Sequence, residues 1–366
     1  MPITLPLVTT GKVPNNTPAS FAKANLIYNG DMSLWNTFTS FVGPASGTYD
    51  AEGFRHIRAG TMVVNTARTT VVPPANGHVG RLVHSSIIRI TTAQTSLGSS
   101  DFLAYQYFIE GSTARAIMGG PFVVSFWVFA NTTGTFALAI RNAGADRSWI
   151  TNYEIPTAST WHRIVKVIDT PPTAGTWNYE NGIGLNICWT LACGTALQTT
   201  TPDAWITGSF LGTPSQTNFA AAVNNDWYLT GVKVEPGSVA TPMLPDPTET
   251  TLSRSSRYFY KTYNLATPPG TSGVSGASAA TAVSVGSLWG LNLFPVPMRV
   301  SPTVTVYAND GTPNRVTSSG GVTTGTAALT ALAIRDRGFL VVQDTGLPFT
   351  TGSLYTYNFV ANARLP

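Results

Sequence analysis

Residues 120–131 read Gly-Pro-Phe-Val-Val-Ser-Phe-Trp-Val-Phe-Ala-Asn. Successive side chains of an extended strand point to opposite faces. Phe122, Val124, Phe126 and Val128 therefore share one wholly apolar face, which is expected to enter a core, while Val123, Ser125, Trp127 and Phe129 take the other. In the next run, residues 134–142, Phe136, Leu138 and Ile140 are expected inward and Ala137, Ala139 and Arg141 outward. A Trp beside an Arg on a face of otherwise small residues is the composition of a sugar-binding platform, unless a loop covers that face.

Runs of this kind recur outward in both directions, separated by turn clusters. They include residues 60–69, 81–92, 162–169 and 226–237, and, beyond residue 253, residues 286–296, 301–309, 337–344 and 353–365. With 34 Gly and 25 Pro punctuating segments rich in Val, Thr and aromatic residues, the chain is expected to be all-β. No heptad, solenoid or collagen-type period is present. The 366 residues suffice for two domains, and an apolar fraction of 43% excludes a disordered chain. Charged residues supply only 10%, against about a quarter in ordinary soluble domains, so the surface is built from Thr, Ser and Asn. Such a surface suits permanent exposure outside cells.

The net charge of +4 is scattered, and its densest cluster is Arg254, Arg257 and Lys261, too sparse for a nucleic-acid partner. The start of the chain lacks a signal peptide's basic and apolar regions, and no stretch has the ~20 apolar residues needed to insert in a membrane. An extracellular composition without a leader fits a particle released by lysis. Cys188 and Cys193 lack the His or Cys companions of a zinc site. Their odd spacing puts them on opposite faces of a straight strand, so either they are two buried thiols or a bulge or hairpin lets them bond.

Three stretches carry a family resemblance. Asn25-Leu26-Ile27-Tyr28-Asn29-Gly30-Asp31-Met32-Ser33-Leu34-Trp35, followed by Tyr49-Asp50-Ala51-Glu52-Gly53-Phe54, resembles the opening of a jelly-roll domain of bacteriophage tail-fibre and spike proteins. Residues 227–242 resemble its closing strand, with the Ser125–Val128 strand and Trp161-His162-Arg163 in the expected order between them. Residues 254–263, with Phe294–Pro302 and Phe359–Leu365, resemble the domain that follows it in such proteins. The chain departs from that family in having Ser255-Ser256 for its Cys-Gln and Asn362-Ala363-Arg364 for its acidic ending.

Residues 1–21, rich in Pro, Thr and Asn and without periodicity, read as an extended arm, either a floppy terminus or a peptide that docks onto other virion proteins. The resemblance implies a carbohydrate-binding-like jelly-roll β-sandwich over 22–243. Residues 244–253, with two prolines and no apolar pattern, read as a linker to a smaller C-terminal β-sandwich over 254–366. The resemblance implies a non-catalytic virion subunit, a homotrimer exposed on the particle, that binds host surface glycans. A decoration protein without receptor role, or a glycan depolymerase, are the rival readings. The resemblance also suggests a structural calcium held by Asp31 and Glu235, with backbone carbonyls completing the shell. The opening and closing motifs are expected side by side, since a jelly roll brings its ends together. The aromatic run Tyr258, Phe259, Tyr260 and Tyr263 is expected either at the threefold contact or in the second domain's own core.

Sugar binding needs exposed aromatic rings and a few orienting polar groups. Trp127, Arg141, Trp149, Trp177, Tyr179 and Trp205 are the candidates, while Trp35, Trp161 and Trp227 are assigned to the core. No Gly-x-Ser-x-Gly, Walker or His-Glu-x-x-His motif is present, and His56, His78, His84 and His162 are dispersed. A depolymerase would need two carboxylates facing each other; Asp101/Glu110 and Asp203/Asp226 are the pairs to inspect.

Overall fold

In the computed structural model, residues 25–75, 80–326 and 329–366 are described. The docking arm expected over 1–21 and His78 lie outside them. The first part of the chain forms strands β1 (Ser40–Val42), β2 (Phe54–Ala59), β3 (Val63–Thr69), β4 (Ser85–Thr92), β5 (Phe102–Glu110) and β6 (Phe122–Ala130). These are followed by β7 (Gly134–Asn142), β8 (Arg147–Ile155), β9 (His162–Ile168), β10 (Ile183–Cys193), β11 (Trp205–Thr207) and β12 (Asp226–Pro236). They make two antiparallel six-stranded sheets, ordered β1-β3-β4-β12-β6-β9 and β11-β8-β7-β10-β5-β2. This is the jelly-roll sandwich.

The alternation read in the sequence sets the core. Phe122, Val124, Phe126 and Val128 from one sheet and Phe136, Leu138 and Ile140 from the other are buried in a single cluster between them. Phe126 meets Trp189 and Tyr153 edge to face, with centroids 5.8 and 5.3 Å apart. Such pairs contribute roughly 0.5–1.5 kcal/mol each beyond their buried area. Trp35 and Trp227 are in this core, as expected. Trp161 instead packs outside the sandwich, against Phe129 and Tyr228.

The opening motif lies along the closing strand. The Leu26 amide donates to the Val234 carbonyl at 2.9 Å, and the Val232 amide to the Gly30 carbonyl at 2.8 Å. A Cβ on Gly30 would sit 2.1 Å from the Val232 oxygen, so only glycine lets the two backbones approach this closely. The turn that follows places Asn29 and Met32 at φ 58°. The buried Asn29 amide holds that turn by bonding Leu34 and Glu52.

The C-terminal part adds β13 (Phe259–Lys261), β14 (Ser278–Ser284), β15 (Ser287–Leu293), β16 (Thr303–Tyr307) and β17 (Val316–Ser318). It continues with β18 (Thr323–Thr324), β19 (Thr330–Leu332), β20 (Gly338–Gln343) and β21 (Leu354–Asn362). The long β21 belongs to two sheets: its first half continues β18-β17-β21-β14-β15-β20-β19, and its second half pairs with β13 and β16. The sheet so folds over its own core of Leu288, Phe294, Phe339, Tyr357 and Phe359. Residues 268–281, whose Gly/Ser/Ala composition reads as a mobile loop, end in β14, which pairs with β21 and turns Ala280 and Ala282 into the core.

Residues 244–253 are not only a linker: Thr248–Ser256 is a helix. It has no apolar stripe to betray it, and is held by polar contacts to the opening motif. Arg254 donates to the carbonyls of Asn25 and Leu26 at 3.0 and 3.2 Å and to Asp246 at 3.1 Å, and the Asn36 amide meets the Ser255 hydroxyl at 3.0 Å. Further ties join the two β units. Arg257 grips Glu110 with two bonds of 2.8 and 2.6 Å, Tyr258 donates to Glu110 at 2.7 Å and stacks on Tyr28, and Arg364 forks onto the buried Glu52. The C-terminal Arg364 thus takes a role inside the chain.

The aromatic run after the linker is covered within this one chain. Phe259 and Tyr263 are buried, Tyr258 lies on Tyr28, and Tyr260 packs on Phe294 and Phe359. Those rings give no reason for a threefold contact at 254–264. Cys188 and Cys193 are free and buried. A bulge between Thr190 and Ala192 returns both to the outer face of β10, where burial pushes the Cys193 thiol up to about 12.

Candidate functional site

On both outer sheet faces the expected platform position is covered. Trp127 is buried in a satellite cluster with Leu82 and Met243, its ring lying over Gly231. The face it shares also holds Lys233 and Glu235. On the other sheet, Arg141 donates to the Ser209 hydroxyl at 3.0 Å, and residues 197–211 pack over Ala137, Ala139 and Cys188. The covering-loop alternative therefore holds for both members of the expected Trp–Arg platform.

Trp149, Trp177 and Trp205, from β8, the loop before β10 and β11, do come together. Trp205 meets Trp149 and Trp177 edge to face, with centroids 5.9 and 5.8 Å apart. Trp149 is buried, whereas Trp177 and Trp205 are half-buried at the sheet edge, their indole N–H groups bonded to the carbonyls of Ala174 and Asp169. Tyr179 is exposed on the loop that carries Trp177. The ladder packs against the sandwich core, with Trp149 inside it and Trp177 and Trp205 against its edge.

The calcium ligands do not assemble. Both Glu235 oxygens are occupied, by the Thr241 amide at 2.7 Å and hydroxyl at 2.6 Å, and the Lys233 ammonium lies 3.4 Å away where a cation would have to sit. Asp31 lies beside Thr230, farther down the same strand, and bonds Ser33. Among the described residues no group of three or more His, Cys, Asp or Glu side chains could hold a metal.

Neither carboxylate pair meets. Asp101 and Glu110 flank β5 at opposite ends, roughly 30 Å apart at about 3.3 Å per residue. Asp203 hangs beside β8, and Asp226 is held bidentately by Arg89 in the other sheet. The basic cluster is likewise engaged: Arg254 and Arg257 as above, and Lys261 with the carbonyls of Leu265 and Thr267 at 2.9 and 2.8 Å. Burial lowers that lysine's pKa to about 8. Asp50, His56, Tyr105 and Ser86 are linked by polar contacts but sealed in the core, where burial raises Asp50 to about 7 and lowers His56 to about 4.

A concave site exists elsewhere, at residues the sequence did not single out. A cleft of about 550 Å³ opens between residues 33–40, Arg68 and residues 265–268. One wall is irregular chain pinned by Asn29 and by the Trp35 indole, which donates to the Met32 carbonyl at 2.9 Å. The opposite wall is the turn that Lys261 fixes. Phe38 is 50% exposed and rests edge-on against Phe41, which in turn touches Trp35. Arg68 is exposed, with one guanidinium nitrogen on the Ser33 carbonyl at 3.2 Å. Ser33, Thr37, Thr39 and Ser40 add hydroxyls, and the buried Thr37 hydroxyl has no hydrogen-bond partner among the described residues. The volume falls in the usual range for small-ligand sites, and the lining combines ring faces with a few fixed polar groups. The signal was present as Trp35-Asn36-Thr37-Phe38-Thr39-Ser40-Phe41, aromatics interleaved with hydroxyls. Its other wall lies about two hundred residues away in sequence, which no local pattern reveals.

No protein-family model matches the sequence, and no curated protein is detectably similar to it. Among solved structures, the chain is similar to a family 11 carbohydrate-binding module from Clostridium thermocellum in complex with a mixed-linked tetrasaccharide. Identity is 10% over 57% of this chain and 98% of that one, with a TM-score of 0.28. A xylan-binding domain from Paenibacillus barcinonensis overlaps at 8% identity over 60% and 97% of the two chains, with a TM-score of 0.27. The tripod from the baseplate of bacteriophage Tuc2009 overlaps at 13% identity over 94% and 91%, also with a TM-score of 0.27. Overlaps this loose set no constraint on what this chain binds.

Proposed function

We propose that this chain is a non-catalytic virion fibre or spike subunit whose jelly roll binds host surface carbohydrate, with the cleft around Phe38 and Arg68 as the sugar site. The observation that carries the reading is the cleft's lining. An exposed aromatic ring suits the apolar face of a pyranose, and an arginine and several hydroxyls beside it suit its hydroxyl or carboxylate groups. The family resemblance of the opening and closing motifs supplies the virion setting. On it, residues 1–21 dock the subunit and three copies assemble, so that weak single contacts gain by avidity.

The test is a glycan array probed with the purified chain, followed by calorimetry on the best ligand. Phe38→Ala is expected to weaken binding by roughly 2- to 10-fold, the worth of one ring contact. Arg68→Ala is expected to cost about 10-fold or more, as a charge-assisted hydrogen bond does. The Trp177–Trp205 ladder with Tyr179 is the second reading, favoured by the convergence of the sequence candidates. Loss of binding in Trp177→Ala with Phe38→Ala unaffected would move the site there. Absence of any glycan ligand would leave the decoration role, and release of sugar from capsule or lipopolysaccharide would restore the depolymerase.

A further inference from the structure

The C-terminal sheet leaves one face open. Its strand register puts Leu332, Val341, Trp289, Thr281 and Leu354 in one row across β19, β20, β15, β14 and β21. Trp289 is 52% exposed and Leu354 48%, and farther along β15 Leu291 and Leu293 are 69% and 65% exposed. The other face of the same strands is the core, with Ala280, Leu288, Val342 and Tyr355 buried. Strands β14, β15, β19 and β20 and residues 354–357 contain no Asp, Glu, Lys or Arg. Soluble monomers rarely display so continuous an apolar patch.

From this we infer that the outer face of this sheet is the contact through which copies of this chain associate. The five strand segments, three to seven residues long and about 4.8 Å apart, present roughly 400 Å² in plan, more in accessible area. That is of the order of the ~800 Å² per partner in a stable interface. A face without charge meets its own copy with no like-charge repulsion, and offers nothing for a charged partner to pair with. Packing is face to face rather than by strand addition, because the sheet's edge strands, β18 and β19, are only two and three residues long. The inference supplies a contact surface for the assembly proposed above, and stands independently of whether the cleft binds sugar.

Sedimentation velocity of the full chain at micromolar concentration is the test. The wild type is expected to run as a multiple of 38.8 kDa. Trp289→Ser with Leu291→Asn, and separately Leu293→Lys, should bring the mass to that of one chain with an unchanged circular dichroism spectrum. Val239→Asn, on an exposed apolar residue outside this sheet, should leave the oligomer intact. A monomeric wild type, or an oligomer that survives both face variants, would overturn the inference. Glycan affinity of the isolated sites, measured in the same variants, reports on the cleft separately.

Discussion

Arg364→Met should test how the two β units are locked together. Glu52 is fully buried and Arg364 nearly so. The guanidinium Nε donates to Glu52 at 3.0 Å while a second nitrogen makes a short bond to the other oxygen. Arg364 also lies 3.9 Å over the Phe259 ring, and Glu52 receives the Asn36 amide at 3.2 Å. Removing one member leaves a buried charge with no counter-ion, which costs about 3–5 kcal/mol. The lost cation–π contact adds about 1 kcal/mol. Glu52→Gln leaves Arg364 uncompensated and should cost nearly as much. The double variant buries neither charge, so the two losses should fall short of additive by about 2–4 kcal/mol. Urea unfolding followed by tryptophan fluorescence and by circular dichroism measures all three. Single losses below about 1 kcal/mol, the worth of a solvated pair, or strictly additive losses, would refute a buried lock.

Two further outcomes follow from groups inside the jelly roll. Trp127→Ala should destabilise the chain by about 3–5 kcal/mol, since it empties a buried site between Leu82 and Met243, and should shift urea midpoints rather than glycan affinity. A stable, correctly folded variant with weakened glycan binding would return Trp127 to the list of ligand contacts. Asp50→Asn should change the pH profile. Burial raises the Asp50 carboxyl from 3.8 to about 7, so the native state holds a proton that the unfolded chain releases. That stability is full below pH 3.8 and is lost as pH rises through about 7. An Asn cannot ionise, so the variant should match the wild type near pH 4 and gain on it by up to about 4 kcal/mol above pH 7. Parallel denaturation profiles across that range would show that Asp50 is ionised in the folded protein. His56 loses its proton at about 4 when folded, so its stability falls away on the acid side in both proteins alike.

What the sequence disclosed and what it concealed divide along a physical line. Alternation is local, and it placed Phe122 to Val128 and Phe136 to Ile140 on the correct faces. The opening and closing motifs lie side by side because their backbones bond directly, with Gly30 as the mark of close approach. Alternation cannot say what lies over the second face of a strand. Trp127 and Arg141 had the right neighbours for a platform, but Met243 and Ser209, contributed from distant loops, cover them. The helix Thr248–Ser256 escaped because its hold on the fold is the guanidinium of Arg254 rather than an apolar stripe. The residues 286–296 show the converse. Trp289, Leu291 and Leu293 make one face of β15 apolar, while Leu288 shares the other with Gly290 and Asn292. Within one chain only the Leu288 face is buried. The open row around Trp289 is where the association inferred above would supply a cover that the chain's own fold does not.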